Sequence, residues 1–478
     1  MTATMDLPLL DGESLRFAGR DLPNSFEILL TGEDRLRVEK VLRLMPGKRL
    51  TARACFQNRT VLAKVFFSRS AFQRQMLRET KGLKLLRRRH LPAPLSLGSC
   101  PIGGGGGVLL IEYLAPAESV MERWQALRQE EAGSEAQLEV LQPLFLLVGL
   151  MHKEGLCQKD LHLGNFLWHE GRLKVVDGGG IAPCRWTWQR LANLGLLAAQ
   201  LPEDLTRSLP RLLAAYHQGR GKDEITPESL TQAAQKQRHK RLEDYLAKTL
   251  RDSSGFCVAK NFRHFSSVVR SSSSWLKDLV EDPDGAMARG KPLKLGGGTT
   301  VVQLAVDGHQ VVIKRYNRGG FWRHLKRCWR RSRARKSWLN GYRLRGVGIA
   351  TPRPLALVEE RRGPLCDRSW LVTEYVEGEN ILELMARYEE GGPPAAVREA
   401  LKTLFENLRR ERISHGDMKG TNLIWRDGKF LLIDLDGMRV HRSGLFFTKA
   451  RIRDRERFLR NWERKLLLHP WMKNILPE

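Results

Sequence analysis

The sequence predicts an α+β chain of two tandem bilobal domains, each with a β-rich N-lobe and a helical C-lobe. Three observations carry that expectation. A segment that begins at Gln158, QKDLHLGNFLWHEGRLKVVDGGG, returns about 257 residues later as HGDMKGTNLIWRDGKFLLIDLDG from His415. Inside both copies Asp, Asn and Asp recur at spacings of five and then twelve, as Asp160, Asn165 and Asp177 and as Asp417, Asn422 and Asp434. In each half, strand-like apolar runs come before the repeat, whereas Leu191 to Tyr216 and Val397 to Arg410 carry apolar residues at helical spacing.

The elements follow in order. VLAKVFF (from Val61) and VVIKRYN (from Val311) read as strands that present Lys64 and Lys314. LPAPLSL and TPRPLAL come next, then the strands VLLIEYL (Val108 to Leu114) and WLVTEYV (Trp370 to Val376), which end on Glu112 and Glu374. Phe166-Leu167-Trp168 and Leu423-Ile424-Trp425 each lead into a two-residue turn, Glu170-Gly171 or Asp427-Gly428, so each copy predicts a β-hairpin whose far end delivers an aspartate. Gly103 to Gly107, between LPAPLSL and its partner strand, reads as a flexible turn. Residues 271 to 298 hold SSSS, DPDG and GGG and read as a connection with a short helix around Trp275 to Val280. The expected boundary lies near 248. The first domain is then 1–248, its N-lobe running to about 114 and its C-lobe over 115–248, and the second is 249–478, with lobes to about 376 and over 377–478.

Composition narrows the partners. The chain has 478 residues, 42% of them hydrophobic, so it can bury real cores, and Lys plus Arg exceed Asp plus Glu by 28. That balance speaks of a polyanion: nucleic acid, an anionic membrane surface or a phosphorylated substrate. No helix-turn-helix, zinc pattern or RNP-type strand accompanies the charge, which argues against nucleic acid. The seven cysteines are scattered and never paired as C-x-x-C, which argues against a disulfide scaffold or a zinc site. Asp6, Asp11 and Glu13 occupy the place where an export signal would carry positive charge, and the most apolar stretch, Leu138 to Met151, is too short to span a bilayer. The expectation is a cytoplasmic protein, soluble or peripheral on a membrane.

Moving a γ-phosphoryl group needs a divalent metal held by oxygen ligands, a cation on the nucleotide phosphates and a carboxylate to take the hydroxyl proton. The repeat supplies each type. Lys64 and Lys314 can reach ATP phosphates, Asp160 and Asp417 can act as bases, and Asn165 with Asp177, like Asn422 with Asp434, can hold Mg2+. Lys419, two residues after its acid, can counter developing charge, and His162 holds the matching position in the first copy. Gly296-Gly297-Gly298, between two expected strands, can bring backbone amides to phosphate. Glu79, fifteen residues beyond Lys64, can pair with it; the matching position in the second half falls near Asn340, which leaves Lys314 without an evident carboxylate. His415 reads as a brace for the loop, and Glu112 and Glu374 mark the hinge where main-chain groups would meet adenine.

HGDMKGTN with the later LIDLDG resembles the H-[RG]-D-x-x-x-x-N and D-F-G elements of the protein-kinase-like superfamily. WLVTEYV, TPRPLAL, HGDMKGTN and LIDLDG together look like the lipopolysaccharide core kinases, the Kdo/WaaP family, over about residues 50 to 248 and again 294 to 445. The resemblance implies two tandem protein-kinase-like domains and an ATP- and Mg2+-dependent phosphotransferase. Its acceptor would be an alcohol group of heptose or Kdo in the lipopolysaccharide core, at the cytoplasmic face of the inner membrane. The first copy departs from the pattern in Gln158 for His, in lacking a glycine-rich loop before Lys64 and in Asp177-Gly178-Gly179 for D-F-G; the second carries Asp434-Leu435-Asp436. Two other readings use the same residues: a scaffold without turnover that binds lipid-linked sugar or a partner enzyme, and a protein kinase, for which Lys419 is natural.

From His309 to Val358 the chain holds Lys or Arg at 14 positions and no acid. Phe321, Trp322, Leu325, Cys328 and Trp329 fall on one face of a helix flanked by Arg323, Lys326, Arg327, Arg330 and Arg331, so this segment either lies in an anionic bilayer interface or packs on its own lobe.

Overall fold

A computed structural model of the chain describes residues 7–32, 34–296, 298–317, 331–363, 365–388, 392–463 and 468–475. The chain divides into two compact units, 1–240 and 241–478, with the division inside the helix Pro227–Lys248. Each unit is α+β, with a seven-stranded sheet followed in sequence by a helical region and two small sheets.

In the first unit the strand order is Leu9–Leu10, Phe26–Leu29, Arg35–Met45, Arg49–Phe56, Arg59–Phe66, Gly107–Glu112 and Ser96–Pro101. In the second it is Phe256–Lys260, His264–Val269, Pro354–Arg362, Leu365–Glu374, His309–Tyr316, Thr299–Val306 and Lys291–Lys294. Five strands match in order. Each lysine strand lies between the strand before it and the hinge strand, with Lys64 opposite Thr51 and Leu109, and Lys314 opposite Val301 and Leu371. The two added strands sit on opposite edges: before Arg35–Met45 in the first unit and beyond Pro354–Arg362 in the second.

The sheets form for the reason the sequence gives, alternation. Leu50, Ala52 and Ala54, with Val61, Ala63 and Val65, point to one face and pack with Phe26, Ile28, Leu36 and Val38. Val302, Val311, Ile313, Ala356, Trp370 and Val372 do the same in the second unit. Both expected hairpins are present, Phe166–His169 with Arg172–Val175 and Leu423–Arg426 with Lys429–Leu432. Their turns, Glu170-Gly171 and Asp427-Gly428, have positive φ at both residues, the two-residue turn that suits strand twist. Gly103 to Gly106 form the turn before Gly107–Glu112.

Two expectations need correction. Residues 271 to 298 are more than a connection: Lys277–Glu281 and Pro283–Ala288 are helices whose Leu279, Ala286 and Met287 enter the core of the second sheet, and Lys291–Lys294 is its edge strand. The continuous helical pattern from Leu191 to Tyr216 is two helices, Thr187–Ala198 and Leu209–Arg220, because Pro202 and Pro210 lack the amide hydrogen needed to carry one helix through. The amphipathic segment around Trp322 and Trp329 lies outside the described residues.

Helix Glu135–Lys153 is the first unit's central core helix, with Leu138, Leu141, Leu144, Phe145 and Val148 buried against Leu209–Arg220. Near its end His152 is buried, with Nδ1 2.9 Å from the Tyr216 hydroxyl and Nε2 3.1 Å from Asn193 Oδ1. Asn193 Nδ2 donates to the Gln158 carbonyl (2.7 Å), so Asn193 Oδ1 is left to accept and the ring proton sits on Nε2. Burial pushes the His152 imidazole down to about 4. The unfolded chain takes up a proton near pH 6.5, so unfolding binds protons and stability falls as pH drops from about 6.5 towards about 4. The expected loss over that window is about 3 kcal/mol for the first unit. Denaturant titrations between pH 7 and pH 4 should show wild type losing this much more than His152→Gln; parallel curves would remove the assignment.

Candidate active sites

In both units the loop that carries the candidate base is shaped by the same bonds. Asn165 Nδ2 donates to the Asp160 carbonyl at 2.8 Å, and Asn422 Nδ2 donates to the Asp417 carbonyl at 2.8 Å. Val176 N donates to the Asn165 carbonyl and Ile433 N to the Asn422 carbonyl, each at 3.0 Å, which ties the loop to the strand that delivers the aspartate. The repeat is therefore conformational as well as sequential. Each asparagine thus donates to the loop through its amide nitrogen, and its side-chain oxygen, which can only accept, could serve as a ligand.

The residue two before each candidate base is a buried brace. His415 has Nε2 3.0 Å from the Ile433 carbonyl, and Gln158 donates from Nε2 to the Asp177 carbonyl at 2.7 Å. Glutamine thus does the same job as histidine. From behind, Asp454, on helix Gly444–Leu459, accepts the His415 amide at 2.6 Å and the Gly416 amide at 2.9 Å. Burial lifts its carboxyl above the usual range despite those donors. In the first unit Asn193 reaches the corresponding loop through the Gln158 carbonyl. Asp454 and Asn193 were not singled out from the sequence; each is a polar residue at a core-facing helix position, a signal that period reading treats as noise.

The lysine environments differ. In the first unit Lys64 makes a short ion pair with Glu79, on helix Phe72–Arg88, and lies 3.6 Å from Asp177. Glu79 also accepts the Gly178 amide (3.0 Å) and the Gly179 amide (3.1 Å), so one buried carboxylate positions both the lysine and the glycine loop after Asp177. Burial raises the Glu79 carboxyl above its ordinary range, against the pull of the Lys64 ammonium and with the help of the Asp177 charge. The glycines replacing D-F-G have a packing cause. A Cβ on Gly178 would stand 2.4 Å from the Glu79 carbonyl, and one on Gly82 would stand 1.9 Å from the Gly178 carbonyl. Helix and loop approach too closely for side chains.

In the second unit Lys314 does have a carboxylate: its ammonium lies 2.5 Å from Asp434 Oδ1. The reading that left it unpartnered looked only to the helix, where Asn340 instead donates to the Leu435 carbonyl at 2.8 Å. Burial works to raise the Asp434 carboxyl, but the Lys314 ammonium outweighs it and holds the group below the usual range. Asp434 adopts the left-handed region at φ 62°, whereas Asp177 has φ −115°. Arg333 reaches Asp436 at 2.5 Å. Asp417 is paired too, 2.5 Å from Arg457 and 3.3 Å from Lys419, while Asp160 is exposed.

Glu112 and Glu374 play one structural part. Glu112 accepts the Leu95 amide at 2.9 Å and Glu374 accepts the Arg353 amide at 2.8 Å, which locks the end of each hinge strand to the proline-containing segment beside it. Both carboxylates are thus engaged with backbone amides. Gly296 and Gly298 lie in the turn between Lys291–Lys294 and Thr299–Val306; Gly297 lies outside the described residues. In the first unit the matching turn is Pro46-Gly47-Lys48. Beside it a cavity of about 280 Å³ is lined by Lys48, Arg49, Arg78, Glu79 and Gly179. Three cations there offer what a glycine-rich loop offers, positive potential for phosphates. His162 is exposed, its Nδ1 accepting the Gly164 amide at 3.1 Å. A hollow of about 1050 Å³ in the first unit, lined by Leu146, Leu150, Trp168, Arg172 and Ala215 among others, contains none of the candidate site residues.

The model of the lipopolysaccharide kinase (Kdo/WaaP) family matches residues 58–178 and 290–473, one segment in each unit and more than half of the chain. The chain belongs to that family. The lipopolysaccharide kinase segments hold both lysines and all six Asp, Asn and Asp positions of the repeat. Among solved structures, a chain described as "WaaP in complex with acyl carrier protein" is 19% identical, is covered over 94% of its own length and 43% of this one, and has a TM-score of 0.29. No curated protein matches.

Proposed function

We propose that this lipopolysaccharide kinase family member transfers the γ-phosphoryl group of ATP, with Mg2+, to an alcohol group of heptose or Kdo in the lipopolysaccharide core at the cytoplasmic face of the inner membrane. The observation that carries the reading is the pair of matched loops, in which Asn165 and Asn422 hold Asp160 and Asp417 at equal distance and stand beside Asp177 and Asp434. In this reading the acceptor hydroxyl gives its proton to the aspartate, its oxygen forms the new bond to the γ-phosphorus, and the bond to the bridging oxygen breaks so that ADP leaves. Lys64, with Lys48, Arg49 and Arg78 around the adjoining cavity, draws the phosphates into line.

The ligands suit Mg2+. It takes one or two protein oxygens and fills the rest of its shell with phosphate and water. Asn165 and Asp177 supply that number in the first unit, and Asn422 and Asp434 in the second. No group of three or more His, Cys, Asp or Glu side chains that could hold a metal is found among the described residues. When bound, the metal neutralises phosphate charge. Among the described residues no helix is long and apolar enough to cross a membrane.

A second reading applies to the second unit. Asp417 is held by Arg457, and Lys314 by Asp434, which favours binding of acceptor or nucleotide over turnover there. Purified protein incubated with γ-labelled ATP, Mg2+ and core oligosaccharide should label the sugar, and chelation should abolish it. No metal-dependent label on any sugar acceptor would overturn the enzyme reading.

A further inference from the structure

After each hairpin the chain makes a short strand that pairs with the strand leading into the catalytic loop: Ile181–Pro183 with Leu156–Gln158, and Arg439–Val440 with Ile413–Ser414. A helix starts a few residues later, at Thr187 or Gly444. At this same place in both units, large apolar side chains face solvent. Trp186 and Trp188 are 62% and 67% exposed in the first; Leu445 and Phe446 are 80% and 71% exposed in the second. The residues differ, yet the display recurs. It is set on ordered backbone: the Arg185 and Trp186 amides both donate to Gln189 Oε1 at 2.9 and 3.2 Å, and His441 Nε2 lies 2.7 Å from Ser414 Oγ. Phe447, next in the chain, is buried, so the second helix divides these two adjacent phenylalanines between water and core.

Cations accompany both pairs. Arg185 is exposed beside Trp186, and Arg439, Arg442 and Lys449 are exposed around Leu445 and Phe446, with Val440 adding apolar surface. Trp, Phe and Leu next to Arg and Lys match the boundary of an anionic bilayer, where rings and aliphatic chains sit among the headgroups and cations meet lipid phosphate. A folded partner of opposite charge would want carboxylates against these cations and would give the tryptophans a fixed pocket. A fluid interface asks only for apolar reach and positive charge, which is what two copies with different residues have in common.

We propose that Trp186 with Trp188, and Leu445 with Phe446, are interfacial anchors that hold each unit's catalytic loop against an anionic membrane surface. The inference rests on the lipopolysaccharide reading only for what that membrane presents. The test uses the full chain and vesicles of phosphatidylcholine with about one third phosphatidylglycerol, against phosphatidylcholine alone. Wild type should sediment with the anionic vesicles, and Trp186→Ser/Trp188→Ser and Leu445→Ser/Phe446→Ser should each weaken binding by about tenfold or more. Circular dichroism and label transfer to soluble, lipid-free core oligosaccharide should stay at the wild-type level. Wild type that ignores anionic vesicles, or double variants that bind them as wild type does, would overturn the anchors. So would variants that keep vesicle binding but lose transfer to the soluble sugar, since that places the patch on an acceptor or protein partner. Vesicle binding that falls as expected, in a protein that labels no sugar, would uphold the anchors and sink the sugar kinase reading alone.

Discussion

Asparagine in place of Asp160 is expected to lower kcat for transfer by the first unit about 10²–10⁴-fold, with little change in KM for ATP. The bond that shapes this loop runs from Asn165 to the Asp160 backbone carbonyl, which the substitution leaves untouched. Asn is close to Asp in shape, so the variant removes the proton acceptor and little else. Asp417→Asn is a different experiment. It also takes the charge from a side chain paired with Arg457 and Lys419, and so frees two cations beside the acceptor position. If both units turn over, each single variant keeps the product of the other, and the double variant keeps neither. If the second unit only binds, Asp160→Asn alone abolishes product, and Asp417→Asn shifts acceptor affinity without touching kcat. Full transfer in the double variant would remove both assignments.

Glu79→Leu should destabilise the first unit by about 3 kcal/mol, the cost of breaking a buried ion pair and leaving the Lys64 ammonium only the Asp177 carboxylate 3.6 Å away. Glu79 is 1% exposed and the Lys64 side chain 12%, so water cannot take over the lost pairing. The Gly178 amide loses its acceptor at the same time, while the Gly179 amide keeps Asp177 Oδ1 at 3.2 Å. Glu79→Gln keeps an acceptor oxygen and fills the same space, so it should cost less in stability while still raising KM for ATP. Denaturant unfolding of the two variants gives the comparison, and equal stability of Glu79→Leu and wild type would mean that the Lys64 pair is not formed in solution. No counterpart exists at Asn340, where the helix contributes an amide to the loop carbonyls and the lysine turns to Asp434.

The hairpins, the lysine strands and the matched loops that carry Asp160 and Asp417 were legible in the sequence because each is local: a turn dipeptide, an alternation, a fixed spacing. Glu79 was legible because a helix places it within reach of a strand only fifteen residues away. What escaped was set by distant packing. Asp454 lies almost forty residues beyond the amides it holds, and its purpose shows only when the helix folds back on the loop. The partner of Lys314 was sought on the nearest helix, but a backbone in the left-handed region brings Asp434 to it. Lys48, Arg49 and Arg78 come together from a turn and a helix and carry no motif. The added strands Phe256–Lys260 and His264–Val269 were passed over because their apolar faces are short and mixed with Ser and Lys, as suits strands near a sheet's margin.

Those added strands bear on how the chain matures. A polypeptide with two sister halves runs the hazard that a nascent segment of one completes the sheet of the other. Here the halves share a five-strand register but are finished on opposite sides. The side left open in one sister is already occupied in the other. Lys291–Lys294, the open margin of the second sheet, is exposed and carries two lysines and a proline that cannot donate. Divergence at the margins thus means that the edge left open in one half has its counterpart covered in the other, so a strand of one half meets no matching vacant place in its sister.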